Sequence, residues 1–448
     1  MARPIRFWLS LRAFRQTFDE TFLSCGSLKE LNLSSWDTRN VKSGHKNLNG
    51  NISQGFSKMF NGVNSLTGLI VSDKISCYGD GSVSEAGKLV FPDAVVIATG
   101  GQNVLFGKTT GSMQCDGYAA AKLYEQGARL KNLEFIQYHP TTVETPQKRM
   151  LITEAARGEG GRLYYLAGER RVYFMEEKYG ERGNLMPRDV VSKCIYDAPS
   201  QVYLDISFLG RKKIESRLFE VAELCRKYAV LDVTKESIPV FPSVHFFMGG
   251  LAVGRDHKTS IDHLYAVGEC ASMYHGANRL GGNSLLAAIY SGQTAAKAIS
   301  KLAENKEHPD FDEYISAQEG ALDSRLSAKS PFSAVYIRYE IAKLMNDCLG
   351  ITRSEEKLLE GIQSVDYYLS ISEKLTYDPD VSPYIGYSLR PMLLLARAIL
   401  TSALARKETR GAHIRDDYPE RSSEFAFCSV CEYQNGVHRI SYVKEDEL

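Results

Sequence analysis

Neither sign of charge prevails in this sequence: 54 lysines and arginines meet 54 aspartates and glutamates. A net charge of zero gives no support to binding of nucleic acid or of an anionic membrane surface. Long apolar runs are missing too. The best, Pro391 to Ala405, is short for a membrane span and carries Arg397, so a direct span is not expected. Closely spaced cysteines are scarce. Of the nine, only Cys428 and Cys431 stand close together, a usage that suits free thiols in a reducing compartment. With His438 as the one other ligand type nearby, that pair completes no metal site. The final Glu445-Asp446-Glu447-Leu448 approaches an ER-retention signal without matching it, and no secretory signal precedes it.

What is present is ordinary globular composition, 44% apolar and 24% charged, in a chain of 448 residues. That length predicts two or three domains with their own cores. Residues 1–60 read differently from the rest. Met1 to Phe18 holds four arginines and no acid, and a Ser/Asn/Gly-rich stretch follows from Leu31 to Ser57. It reads as atypical sequence around a truncation or alternative start rather than as a transit peptide, since Asp19 and Glu20 follow at once.

The most informative string is Leu264-Tyr265-Ala266-Val267-Gly268-Glu269, followed by His275-Gly276-Ala277-Asn278-Arg279-Leu280-Gly281-Gly282-Asn283-Ser284-Leu285-Leu286. A short apolar strand ends in Gly-Glu, offering an acidic oxygen to a sugar-like hydroxyl. A turn of small residues then presents Arg279, able to fork onto a carboxylate, before a helix starts at Asn283-Ser284. Unpaired N–H groups and a positive dipole mark such a helix start. Taken singly, a Gly-Glu is a turn and an arginine in a glycine-rich loop faces water.

Three further blocks occur: His139-Pro140-Thr141 after Leu133–Tyr138; Leu151-Ile152-Thr153-Glu154-Ala155-Ala156-Arg157-Gly158-Glu159-Gly160-Gly161; and Asn184-Leu185-Met186-Pro187-Arg188-Asp189. Val244-His245-Phe246-Phe247-Met248-Gly249-Gly250 ends a second crossing over Glu236–Val244. Each histidine alone reads as a satisfied core residue. Glu154 and Arg157, at i, i+3 spacing, read equally as a surface ion pair.

Together and in this order, these blocks resemble the flavoprotein subunits of the succinate dehydrogenase/fumarate reductase family, which includes L-aspartate oxidase. The likeness runs roughly from Thr99 to Pro419. It implies an α/β fold: a Rossmann-like FAD-binding domain (61–139 and 246–302), an inserted α+β capping domain (140–245), a helical domain (303–410) and a C-terminal loop and tail (411–448). It implies FAD as cofactor, approached by Thr99, Gly100, Gly101, Asp116, Glu269, Asn283, Ser284 and Leu285. His245 and Arg279 would bind one carboxylate of a dicarboxylate, with His139 and Thr153 near the other. Arg188 would protonate the substrate carbon, re-protonated through Glu154 and Arg157. A free guanidinium is a poor acid, so this role needs crowded cations and a carboxylate at hand.

The implied reaction is fumarate–succinate interconversion, with a hydride exchanged at flavin N5. The implied partner is an iron–sulfur subunit, giving a cytoplasmic protein held peripherally at the inner face of a membrane. L-aspartate oxidase is the nearest rival, although that branch usually reads Ala-Ser-Asn-Ser where this chain has Gly281-Gly282-Asn283-Ser284. A non-catalytic remnant acting as a binding or assembly surface is the rival of another class. The family opens with a Gly-x-Gly-x-x-Gly turn that cradles the FAD pyrophosphate, and no such fingerprint occurs here. The first βαβ therefore reads as missing, and the chain as written is expected to hold FAD weakly or not at all.

Overall fold

The computed structural model describes residues 5–8, 66–70, 78–79, 82–83, 94–146, 148–302, 332–375 and 383–444. Most of the atypical first sixty residues, residues 84–93 and 303–331 and the last four residues lie outside that set. The chain divides into two compact units, one of residues 1–100, 251–273 and 281–315 and the other of 101–250, 274–280 and 316–448.

In the first unit, Ile5–Trp8 pairs in parallel with Leu66–Ile70, and Val95–Ile97 pairs in parallel with Leu264–Ala266. Parallel pairing requires a crossover, the mark of an α/β arrangement. The helix Asn283–Ile299 covers the second pair, setting Ala295 against Val96, Tyr265 and Val267. Tyr78–Gly79 pairs antiparallel with Ser82–Val83.

The second unit carries a six-stranded antiparallel sheet. Its order is Arg170–Val172, Arg162–Ala167, Val202–Asp205, Ile238–Phe247, Ile136–Glu144 and Arg149–Leu151. Ile152, Leu163, Met175, Val191, Leu204, Ile238 and Val240 form the core between this sheet and its helices. Two strands run further than the sequence suggests: both His139 and His245 lie inside strands rather than at their ends. β-Branched Thr141, Thr142 and Val143 keep the first strand extended. Pro140, which has no N–H to give, falls where the register shifts, between the pairs Phe241–Thr142 and Ser243–His139.

Three long helices of this unit follow among the described residues: Ala334–Cys348, Glu355–Ser372 and Pro383–Ala405. Ser333 and Ser354 cap the first two by accepting from Tyr336 and Lys357 amides. By length and composition Tyr384–Ala405 could cross a membrane, a longer stretch than the sequence reading recognised. Its most apolar 18-residue window is 72% buried within the protein, however, and it passes that test as a core helix. The C-terminal segment read as loop and tail holds an antiparallel hairpin, Cys428–Gln434 with Val437–Val443. Its Asn435-Gly436 turn has φ of 51° and 80°, the left-handed pair that a two-residue hairpin turn requires.

Arg406 and Glu134, both 0% exposed, meet at 2.6 Å. Arg406 also reaches Glu408 at 3.0 Å and donates to the Phe425 and Phe427 carbonyls, while Ser429 donates to Glu134. This buried network ties the end of the longest helix to the hairpin.

Candidate active site

Every residue of the expected substrate site falls within the second unit. The two central strands set His139 and His245 on one face, with ring centroids 5.3 Å apart. Val244 opposes Tyr138 and Phe246 opposes Gln137, so His245 is the extra residue of a bulge. Bulges re-aim side chains in this way. His245 Nδ1 meets Thr110 Oγ1 at 2.7 Å. His139 is 1% exposed; its Nδ1 contacts the Thr141 backbone and its buried Nε2 has no hydrogen-bond partner among the described residues.

Both imidazoles are held neutral. Burial, then the Arg188 and Arg279 guanidinium groups, pull His245 down to about 3. Burial, followed by His245, Arg188 and Arg157, pushes His139 well below the ordinary histidine range. Fully buried His413 is likewise lowered, by burial and then Arg353. The unfolded chain therefore binds more protons than the folded one below about pH 6.5. Stability is expected to be full above that pH and to fall on acidification, by about 1.4 kcal/mol per unit for each such histidine. Urea titrations between pH 7 and 4 check this; a flat profile would contradict it.

Arg188 opens the helix Arg188–Tyr196, behind Pro187. Its Nε and Nη2 donate to Glu154 Oε1 and Oε2 at 2.8 and 3.1 Å, a two-point fork. Nη1 donates to Gln137 Oε1 at 2.8 Å. Glu154 stands at the start of the short helix Ala155–Gly158, and Arg157 Nη2 lies 3.5 Å from its Oε1. The side chain of Arg157 is 2% exposed and that of Arg188 10%, but that of Glu154 is 40% exposed. The three groups thus step from buried ground to water. The hydrogen bond from Arg188 holds the Glu154 carboxyl below its usual range, and burial lowers Arg157.

Arg279 is 5% exposed and places its guanidinium 4.3 Å from the Phe246 ring centroid. His275 lies edge-on to the same ring and is drawn down to about 4 by burial and Arg279. Gly411, with φ of 54°, lets the chain pass where a Cβ would fall 2.4 Å from the Ala277 carbonyl oxygen. That close approach seats the Arg279 loop. Thr153 is half-buried, accepting weakly from the Ala155 amide. Among the expected cofactor residues in this unit, Asp116 accepts from the Tyr118 amide and the Tyr384 hydroxyl, so its carboxylate is occupied by the helices around it. Gly101 is buried.

Thr99, Gly100, Glu269, Asn283, Ser284 and Leu285 belong to the first unit. Gly268 has φ of 69° and its N–H donates to Ser291 of the covering helix. That helix starts behind Gly282, φ 83°, without a side-chain cap, and exposes Leu285 and Leu286 at 37% and 67%. Uncapped amides beside exposed apolar side chains suit a flat heteroaromatic group bearing acceptor oxygens. Glu269, in the turn Gly268–Cys270, would hold its polyol hydroxyls.

The sequence reading missed Gln137, Thr110 and Asn278. Gln137 shares a strand face with His139 at i, i−2 spacing, a signal that was available. Asn278 lay within the quoted string beside Arg279. Thr110 is 135 residues from His245 and carried no local signal.

Comparison with known proteins agrees with the fold. Residues 60–285 match the model of an FAD binding domain, and 338–446 that of the fumarate reductase flavoprotein C-terminus. The chain belongs to the family of FAD-dependent oxidoreductases that contains the succinate dehydrogenase and fumarate reductase flavoproteins. It is 36% identical to the succinate dehydrogenase flavoprotein subunit of Bacillus subtilis over 74% of this chain and 60% of that one. It is 34% identical to an L-aspartate oxidase of Nostoc over 75% and 62%. The flavoprotein of E. coli quinol fumarate reductase superposes with a TM-score of 0.70 at 30% identity, over 79% of this chain and 66% of that one. The chain thus spans about three-fifths of the length of the Bacillus relative.

Proposed function

We propose that this chain interconverts fumarate and succinate. The carrying observation is the fork between Arg188 and Glu154, buried at the arginine and open to water at the carboxylate. The chemistry that FAD supplies when bound is hydride transfer. Arg279 and the neutral His245 hold one carboxylate of the substrate, and His139 with Thr153 hold the other. Arg188 delivers a proton to the carbon opposite the one that gains the hydride, and recovers it from water through Glu154 with Arg157 alongside. Succinate oxidation runs the same path in reverse. Three guanidinium groups, from Arg157, Arg188 and Arg279, suit a dianion and repel an ammonium.

That last point separates the reading from L-aspartate oxidase. Glu154 already pairs with Arg188 through both oxygens, so an ammonium placed there would meet the like charge of that guanidinium. In a flavin-loaded preparation, fumarate reduction with a chemical donor is expected to exceed oxygen-dependent oxidation of L-aspartate. Steady-state rates with both substrates decide it: faster peroxide formation from aspartate would place the chain on the oxidase branch. An iron–sulfur subunit as electron partner, and peripheral attachment to the cytoplasmic face of a membrane through it, complete the proposal.

A further inference from the structure

Behind Arg188 runs a chain of side chains that the proposed reaction does not use. Gln137, 1% exposed, accepts from Arg188 Nη1 through Oε1. Its Nε2 donates to Asn278 Oδ1 at 2.8 Å and to the Arg279 carbonyl at 2.7 Å. Asn278 Nδ2 in turn donates to Asp189 Oδ1 at 3.0 Å.

The direction of this chain is fixed by chemistry. A guanidinium only donates and a carboxylate only accepts. With Arg188 at one end, Gln137 must present its oxygen there and its amino group to Asn278. Asn278 must then present its own amino group to Asp189. The Arg279 carbonyl, another pure acceptor, enforces the same sense midway. Turning either amide over would set donor against donor or acceptor against acceptor.

We propose that Asp189 and Asn278 are positioning residues which, acting through Gln137, lock the Arg188 guanidinium in register with Glu154 and with the loop bearing Arg279. This rests on the proposed role of Arg188 as proton donor. Three separate elements meet in the chain: the strand Ile136–Glu144, the helix Arg188–Tyr196 and residues 274–280. The proton donor and the carboxylate anchor are thereby set against one another. Misplacement of a reacting group by about 1 Å can cost a factor of about 100 in rate.

The test is an exchange of end groups. Asn278→Asp puts a carboxylate against Asp189 and breaks the alternation. Asp189→Asn combined with Asn278→Asp restores it, because the introduced amide donates to the introduced carboxylate, which still accepts from Gln137. Net charge is unchanged in the double variant. In a flavin-loaded preparation, Asn278→Asp is expected to lower kcat for fumarate about 100-fold, with the double variant within about 5-fold of the unsubstituted chain. A second readout needs neither flavin nor substrate. Nitrogen-15 NMR of arginine side chains should show slow guanidinium rotation for Arg188, identified by its loss in Arg188→Lys. That signature should vanish in Asn278→Asp and return in the double variant. A double variant that fails to restore either readout overturns the proposal, as does an Asn278→Asp variant with an unchanged Arg188 spectrum. An unsubstituted chain inert towards fumarate would remove the fumarate reading, while the arginine spectra would still decide whether the lock exists.

Discussion

Arg188→Ala is expected to lower fumarate turnover by about 10²- to 10⁴-fold, in both directions, while dicarboxylate affinity stays within a few-fold. Its guanidinium is held at three points by Glu154 and Gln137, an arrangement that fixes one geometry rather than adapting to a ligand. Arg279→Ala should behave differently. It removes a group aimed at a carboxylate, so malonate binding and kcat/KM should fall together. Titration calorimetry with malonate on both variants separates the roles. Equal loss of affinity in the two would show that Arg188 anchors rather than delivers.

The second large effect concerns stability. Arg406→Met leaves the wholly buried Glu134 facing an apolar side chain and strips the donors from the Phe425 and Phe427 carbonyls. Breaking one side of a buried pair costs about 3–5 kcal/mol, because the other charge stays behind without water. Arg397→Ala, which loses a more exposed pair with Asp366, should cost under about 1 kcal/mol. Chemical denaturation of both variants provides the measurement. A small loss for Arg406→Met would mean that the network relaxes or admits water.

The contrast between what could and could not be read beforehand has a physical basis. Arg188, Glu154, Arg157, His139, His245 and Arg279 stand inside strings whose order along the chain carries information, and the structure gathers them in one unit. The helix starting at Asn283 and the strand Leu264–Ala266 were equally visible, since a run of apolar residues closing on glycine has few other uses. Strand ends were not. Whether a strand stops before His139 or runs through it depends on the partner strand Ile238–Phe247, which no local window contains. The Asn435-Gly436 hairpin was legible in its turn residues and was passed over. Gln137 and Asn278 look like ordinary polar residues until their partners are known. Their importance lies in donor–acceptor parity, a property of the assembled chain of bonds rather than of either residue.

The spacing of the site along the polypeptide bears on how the protein is made. Thr110 and His245 are separated by 135 residues, and Gln137 and Asn278 by 141. Contacts of such separation form late, since closing long loops is entropically costly before other contacts reward it. A ribosome must therefore release most of the second unit before any of its chemistry can exist. Until then the strand carrying His139 waits, with an open edge, for a partner not yet synthesised. That interval is when a nascent chain of this kind is most exposed to wrong pairing.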